Sequence, residues 1–325
     1  MRYRVASRSF VFCLAAACSL ATLPCVRAEA PANPAVDARP LAPDEIKFLR
    51  FVEGDRTGAR LETSIVTYRN EAGATLRLVG AVHIGEKSYY EGLNDTFRGD
   101  DAVLYEMVKP KNVPIPKPNQ PSKSGIGKFQ HFLKDSLNLD FQLDVVDYSR
   151  PNFVHADLDA ETFEKMQAER GETIFTLMIR QMMNTMSKGD GAAGLNADDL
   201  PGELIAMLCR PDGERQGKLL LARHMGDMEK AAAGLDGPNG SVILSERNKA
   251  ALKVLAKTLA GGKKHVSIFY GAAHMPSMSE TIQKDMGFKP VSVEWRMAWD
   301  LSIRADRPSL IETILRDGLK VLDDD

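Results

Sequence analysis

The chain is poor in cysteine where a disulfide would form. Of its four cysteines, Cys13, Cys18 and Cys25 crowd together near the N-terminus, and only Cys209 lies in the body of the sequence. A single cysteine excludes an internal disulfide framework there, so stability has to come from a packed core. In "ELIAMLC" (203–209) it reads as a helix-face packing residue rather than a reactive thiol. Positive charge is not in excess either: 42 Lys and Arg stand against 44 Asp and Glu. A nucleic-acid surface needs a basic face, so that partner class is excluded. The sequence contains no HExxH, GxSxG, P-loop or CxxC, and "GIGKFQ" (125–130) lacks the third glycine of a dinucleotide fingerprint.

Long apolar runs are missing after the first thirty residues. The one present, "FVFCLAAACSLATLPCV" (10–26), follows Arg2, Arg4 and Arg8 and precedes the small-residue site "VRA". This is the pattern of a secretory signal, too short for a membrane span, with cleavage expected after Ala28. Lipidation of Cys18 is the weaker expectation, because Ala15 stands where an aliphatic residue is wanted. Residues 1–28 carry four arginines and no acid, so their removal leaves 38 basic and 44 acidic residues, net −6. An exported protein, periplasmic or extracellular, is expected, meeting the membrane only through export.

Residues 29–45 are Pro/Ala-rich and read as a disordered leader, with 46–325 forming one domain. "RLETSIVTYRNEAGATLRLVGAVH" (60–83) reads as two strands around a turn at Asn70–Gly73. A helix in "SYYEGLNDTFRG" and a buried strand in "DAVLYEMV" follow, a strand–helix–strand unit that favours parallel strands. The proline-rich 109–125 segment is expected to be a loop or lid, followed by a helix near 126–138. "RPNFVHADLD" reads as a strand leading into a helix capped by Asp159. Helices are expected over 172–188, with Met178, Met182, Met183 and Met186 on one core-facing side, and near 202–209, 214–233 and 244–260. "SKGDGAAGLNADDLPG" (187–202) is a linker within a helical insertion of about 160–240. "HVSIFYGAAH" then gives a strand, "PSMSETIQKDMG" a helix, "KPVSVEWRMAW" a strand, and "SLIETILRDGLKVL" a terminal helix. The expected class is α/β, mixed α+β, with a central mixed sheet.

One cassette occurs in both halves: an apolar strand, GxxH, then a helix. The instances are "LVGAVHIGE" (78–86) and "FYGAAHMPS" (269–277), ending at His83 and His274. A third GxxH, at His265, follows a charged turn and precedes its strand, so it is set aside. Gly80 and Gly271 are read as permitting unusual backbone angles at a tight strand exit, or the close approach of a ligand. Glu106 in "AVLYEMV" is a carboxylate in apolar company, costly to bury unless paired or metal-bound. It is expected to end the strand beside the one carrying His83. His83, Glu106 and His274 then make a two-His, one-carboxylate set suited to zinc, manganese or cobalt. Arg247 in "LSERNKAAL" opens a helix, either stabilising an oxyanion or pairing with a neighbour such as Glu246. Asp157 is read as a supporting partner, an extra ligand or a helix cap, and His155 as structural.

"LVGAVHIGEKSYY", "AVLYEMV", "SERNKAAL" and "VSIFYGAAHMPSM", in this order, resemble the TraB/PrgY/GumN group, which is related to the Tiki metalloproteases. More distant relatives of the group are the erythromycin esterase-like and ChaN-like proteins. The likeness runs from about residue 60 to 300. It implies an α/β core with paired GxxH histidines and a glutamate lining a cleft, and with Arg247 matching the group's arginine. It also implies metal-dependent peptidase chemistry favouring manganese or cobalt, a link to peptide pheromones in PrgY-related members, and haem binding in ChaN-like ones. The chain departs from the pattern after Glu106, where Lys109 and Lys111 stand in place of an arginine. The functional expectation is an exported metal-dependent hydrolase acting on a peptide or small molecule through Glu106 and Arg247. The alternative is a non-catalytic binder of peptide or haem in the same cleft, with Tyr270, Tyr105 or a histidine as haem ligand.

Overall fold

The computed structural model describes residues 41, 46–54, 58–115, 137–172, 213–236 and 240–302. The chain divides into two compact units, Met1–Asp37 and Ala38–Asp325, and all described residues belong to the second. The signal segment, the linker 187–202, the methionine-rich stretch and the terminal helix lie outside them, as does nearly all of the helix expected near 126–138.

The strands are β1 (Leu49–Val52), β2 (Ala59–Arg69), β3 (Thr75–Ala81), β4 (Ile84–Gly85), β5 (Ala102–Tyr105), β6 (Asp140–Phe141), β7 (Phe153–His155), β8 (His265–Gly271) and β9 (Lys289–Leu301). Among the helices, α1 is Lys87–Phe97, α2 Gln142–Val145, α3 Ala160–Arg170, α4 Gly213–Asp236, α5 Arg247–Ala260 and α6 Met275–Met286. The protein is mixed α/β, built on a seven-stranded mixed sheet, with β4 and β6 as a separate pair.

The hairpin β2–β3 turns at Asn70–Gly73, where the Gly73 amide bonds the Asn70 carbonyl and Gly73 takes φ +76°. That left-handed conformation suits glycine, and Asn70 Oδ1 accepts from the Ala74 amide to close the turn. β9 runs antiparallel along the whole of β2, while β1 and β3 share its other edge, β1 beside the first half and β3 beside the second. β3, β8, β5 and β7 are parallel neighbours in that order. Parallel strands are covered on both faces and therefore read as continuous apolar runs; β5 (AVLY) is buried throughout and β8 nearly so.

One expectation is corrected here. β5 does not lie beside β3: β8 is inserted between them. The β3–α1–β5 crossover spans two sheet positions, and local element order carries no information on which distant strand fills the gap. Glu106 therefore neighbours the strand that leads to His274, not the one that leads to His83.

The helices cover the sheet with faces legible in their sequences. α1 buries Tyr89, Tyr90, Leu93 and Phe97, and Phe97 meets Phe269 of β8 with ring centroids 4.9 Å apart. Asp159 caps α3, its side chain accepting from the Thr162 amide at 2.9 Å. α4 packs against β1, where Gly226 comes so close to Phe51 that an added Cβ would sit 2.9 Å from the Phe51 Cβ. Among the described residues no helix is long and apolar enough to cross a membrane.

Candidate active site

All four parallel strands deliver their last residues to one end of the sheet. The register pairs Ala81 with Gly271, and Tyr105 with both Phe269 and His155. The chain leaves these strands at His83, Glu106, Asp157 and His274. In open α/β sheets this carboxyl edge is where ligands bind.

Glu106 is the centre of the cluster. Its Oε1 accepts from Arg247 Nη2 at 2.7 Å and its Oε2 from the Gly271 amide at 2.6 Å. His274 Nε2 lies 3.6 Å from the same Oε1. Burial opposes ionisation of Glu106, but His274 once protonated, Arg247, His83 and the Gly271 amide outweigh it and hold the carboxyl at about 2. Glu106 is thus a carboxylate at neutral pH and a poor proton acceptor.

His274 is 4% exposed, its ring edge-on to Tyr270 at 5.2 Å. Burial lowers it to about 4, against the attraction of Glu106, so the ring is neutral at pH 7. Its Nδ1 meets Asn248 Oδ1 at 2.7 Å, while Asn248 Nδ2 donates to the His274 carbonyl at 3.4 Å. With the amide oriented by that second bond, Nδ1–H is the donor and Nε2 keeps its lone pair, pointed toward Glu106. Asn248 follows Arg247 in "SERNKAAL", where nothing in the local pattern points to a functional role. A buried polar residue on the apolar face of α5 is the only signal that marks it.

Arg247 opens a helix, as expected, but its partners are Glu106 and Asp157. Its Nε lies 3.0 Å from Asp157 Oδ1 and its Nη2 2.6 Å from Oδ2. The Asp157 side chain is fully buried and that of Arg247 11% exposed. These carboxylates raise the arginine's pKa despite burial, so it is permanently charged. Glu246, the neighbour proposed for it, pairs instead with Arg170 and Lys249. With Nε and Nη2 committed, Arg247 serves as the clamp on two carboxylates. Asp157 is its second carboxylate; capping falls to Asp159.

The two glycines do different work. Neither has positive φ among the described residues, so unusual backbone angles are not their reason. At Gly271 the reason is space: an added Cβ would stand 3.4 Å from Glu106 Oε2, 3.8 Å from His274 Cδ2 and 3.9 Å from His83 Nε2. Three candidate side chains therefore converge on the place a methyl group would fill. At Gly80 the close neighbours are Phe48 O at 3.3 Å and the Ala272 Cβ at 3.5 Å, a packing role. His83 is exposed at the mouth, its carbonyl accepting from the Gln142 amide at 2.9 Å.

Other candidates are engaged elsewhere. His155 Nε2 bonds the Met107 carbonyl at 2.7 Å, the structural role expected of it. His265 is exposed near Asp101. The Tyr270 hydroxyl donates to Ala156 O at 2.6 Å, and Tyr105 packs edge-on to Tyr148. Lys109 Nζ donates to Val113 O, and Lys111 pairs with Asp159 at 3.3 Å. A cavity of about 300 Å³ opens beside the cluster, lined by His83, Glu106, Arg247 and His274 and by apolar residues.

Among the described residues no group of three or more His, Cys, Asp or Glu forms a ready metal cage. No family model, curated protein or solved structure matches the chain significantly.

Proposed function

We propose that this cleft is the active site of a metal-dependent hydrolase acting on peptides, with His83, Glu106 and His274 as the donors. The observation that carries the reading is the His274–Glu106 pair. A neutral imidazole turns its lone pair toward an ionised carboxylate oxygen 3.6 Å away, with no hydrogen to share between them. Arg247 already satisfies one lone pair of that oxygen; a second cation between it and Nε2 would relieve the repulsion that remains.

The donor types suit a divalent ion, although as placed they do not form a ready cage for one. His274 is backed through Nδ1 by Asn248, the second hydrogen bond that metal-bound histidines usually carry. Glu106 is ionised, and each of its oxygens has a lone pair beyond the one engaged. His83, exposed at the mouth, has the freedom to complete the set. Imidazole and carboxylate suit manganese, cobalt or zinc, which agrees with what the resemblance to the Tiki group implies. When bound, such an ion supplies Lewis-acid polarisation of a carbonyl and a water acidified toward neutral pH.

The chain's own residues set the conditions. Asn248 fixes the His274 tautomer, and Arg247 and the Gly271 amide fix the Glu106 carboxylate. Asp157 offsets the arginine's charge, so the clamp brings little net positive field to the donors. The apolar wall displaces water, which strengthens every interaction inside. The test is metal content of the purified protein and of His274→Ala by plasma mass spectrometry, with manganese, cobalt and zinc add-back and a peptide-library hydrolysis assay. Near-stoichiometric metal lost in the variant, with metal-dependent cleavage, is expected. No retained metal, no thermal stabilisation on add-back and no cleavage would overturn the reading, and a Soret band on adding haem would replace it with the binding alternative.

A further inference from the structure

We infer that the cavity beside the donors is a specificity pocket for one uncharged apolar side chain of a peptide, with Ile243 and Leu244 as its determinants. The inference rests on the hydrolytic reading for its catalytic meaning, but the pocket is argued from its own walls. Leu49, Val82, Met225, Ile243, Leu244 and Ala272 form them, contributed by β1, the exit of β3, α4, the segment before α5 and the exit of β8. Among the described lining residues outside the donor–arginine cluster, none carries a charge. The one hydroxyl there, Ser241 Oγ, accepts from the Leu244 amide at 3.0 Å as a helix cap. A charged or strongly polar group against this wall loses its hydration without gaining partners there, and Glu106 and Arg247 at the cavity's edge already hold each other, whereas an apolar one gains by burial.

The size is also selective. About 300 Å³ lies at the low end of small-molecule pockets, enough for a side chain and its backbone amide rather than an extended ligand. The local backbone explains why these residues are together. Val242–Glu246 is a π-helical turn that runs directly into α5. The wide turn lets Ile243 and Leu244 line the cavity while Arg247, three residues after Leu244, reaches Glu106 and Asp157. π-turns of this kind occur frequently at functional sites. A side chain in the pocket places its own carbonyl beside His274 and Glu106, where the chemistry is proposed.

The experiment is calorimetric titration of the full chain with N-acetyl-leucinamide, N-acetyl-glycinamide and N-acetyl-lysinamide, which reads binding without turnover. Burial of a leucine side chain predicts leucinamide tighter than glycinamide by about tenfold to a hundredfold, with lysinamide no tighter than glycinamide. Ile243, partly exposed, tolerates substitution in either direction. Ile243→Trp fills the pocket and removes the leucine preference; Ile243→Ala widens it and moves the preference toward N-acetyl-phenylalaninamide. Equal affinities, no saturable binding, or a leucine preference that survives Ile243→Trp would overturn the inference. Leucine-selective binding with no peptide cleaved would leave the pocket standing and overturn the hydrolase.

Discussion

Asn248 and His274 grip each other through two hydrogen bonds, Oδ1 to the ring Nδ1 at 2.7 Å and Nδ2 to the backbone carbonyl at 3.4 Å. Both are about 4% exposed, so neither bond has water as a ready substitute. The pairing decides which imidazole nitrogen faces Glu106. Asn248→Ala removes the acceptor and frees the ring to adopt the other tautomer. Metal affinity is expected to fall by about 10- to 100-fold, the usual loss when an outer hydrogen bond to a ligating histidine is removed. Competition titration with a chromophoric chelator measures it, and the imidazole nitrogen shifts in NMR report the tautomer. Unchanged affinity with unchanged shifts would remove Asn248 from the site.

Among the described residues Arg247 is the one cation that pairs with both Glu106 and Asp157, and all three side chains are buried or nearly so. Arg247→Met therefore leaves two buried carboxylates with backbone amides as partners but without their shared cation. A loss of about 3–5 kcal/mol is expected, the cost of breaking a buried ion pair from one side. Adding Asp157→Asn should recover part of it, because one of the stranded charges is removed. Urea denaturation of the two variants checks both statements. A single variant as stable as the native chain would show that the clamp contributes nothing to folding.

Much of this site was legible because its donors sit where apolar runs stop. His83, Glu106 and His274 each follow a strand readable as such, and burial of a lone carboxylate in "AVLYEMV" demanded a partner. What escaped was everything set by long-range order. The insertion of β8 between β3 and β5 leaves no local trace, so Glu106 was placed beside the wrong strand. Arg247 was visible as a helix-opening arginine, yet its partners come from β5 and β7, 141 and 90 residues away. The π-turn was invisible for another reason: a sequence window at helical period does not register one extra residue per turn, so 244–260 read as a plain helix.

Gly271 and Gly80 allow stability and chemistry to be separated. Gly271 has φ −52°, a conformation open to any residue, and a Cβ there meets its neighbours at ordinary van der Waals distances. Gly271→Ala should fold with a change below about 1 kcal/mol, while its methyl stands among Glu106, His274 and His83. Metal binding and hydrolysis are expected to fall at least tenfold. Gly80→Ala should behave in reverse: its Cβ meets the Phe48 carbonyl oxygen at 3.3 Å, a backbone atom that has to shift by a few tenths of an ångström, costing about 1 kcal/mol as overpacking, with metal affinity little changed. Thermal unfolding and metal titration of both variants give the comparison. Parallel losses in the two properties at both positions would show that the glycines share one role.

The metal-free protein should lose stability in two stages as the pH falls. His274 is held near 4 in the folded chain against an ordinary value of 6.5, so the unfolded chain takes up its proton first. Between pH 6.5 and 4 the unfolded state binds more protons, and stability falls with pH by at most about 1.4 kcal/mol per unit from this group. Glu106 is held near 2 against 4.5, so its contribution is complete above 4.5 and disappears between 4.5 and 2. His274→Gln should remove the upper stage and, by withdrawing a charge that helps hold Glu106 down, shrink the lower one; Glu106→Gln should remove the lower stage. Denaturant midpoints between pH 8 and 3, read in the presence of a chelator, test this assignment, and an upper stage that persists in His274→Gln would show that the ring is not neutral in the folded protein.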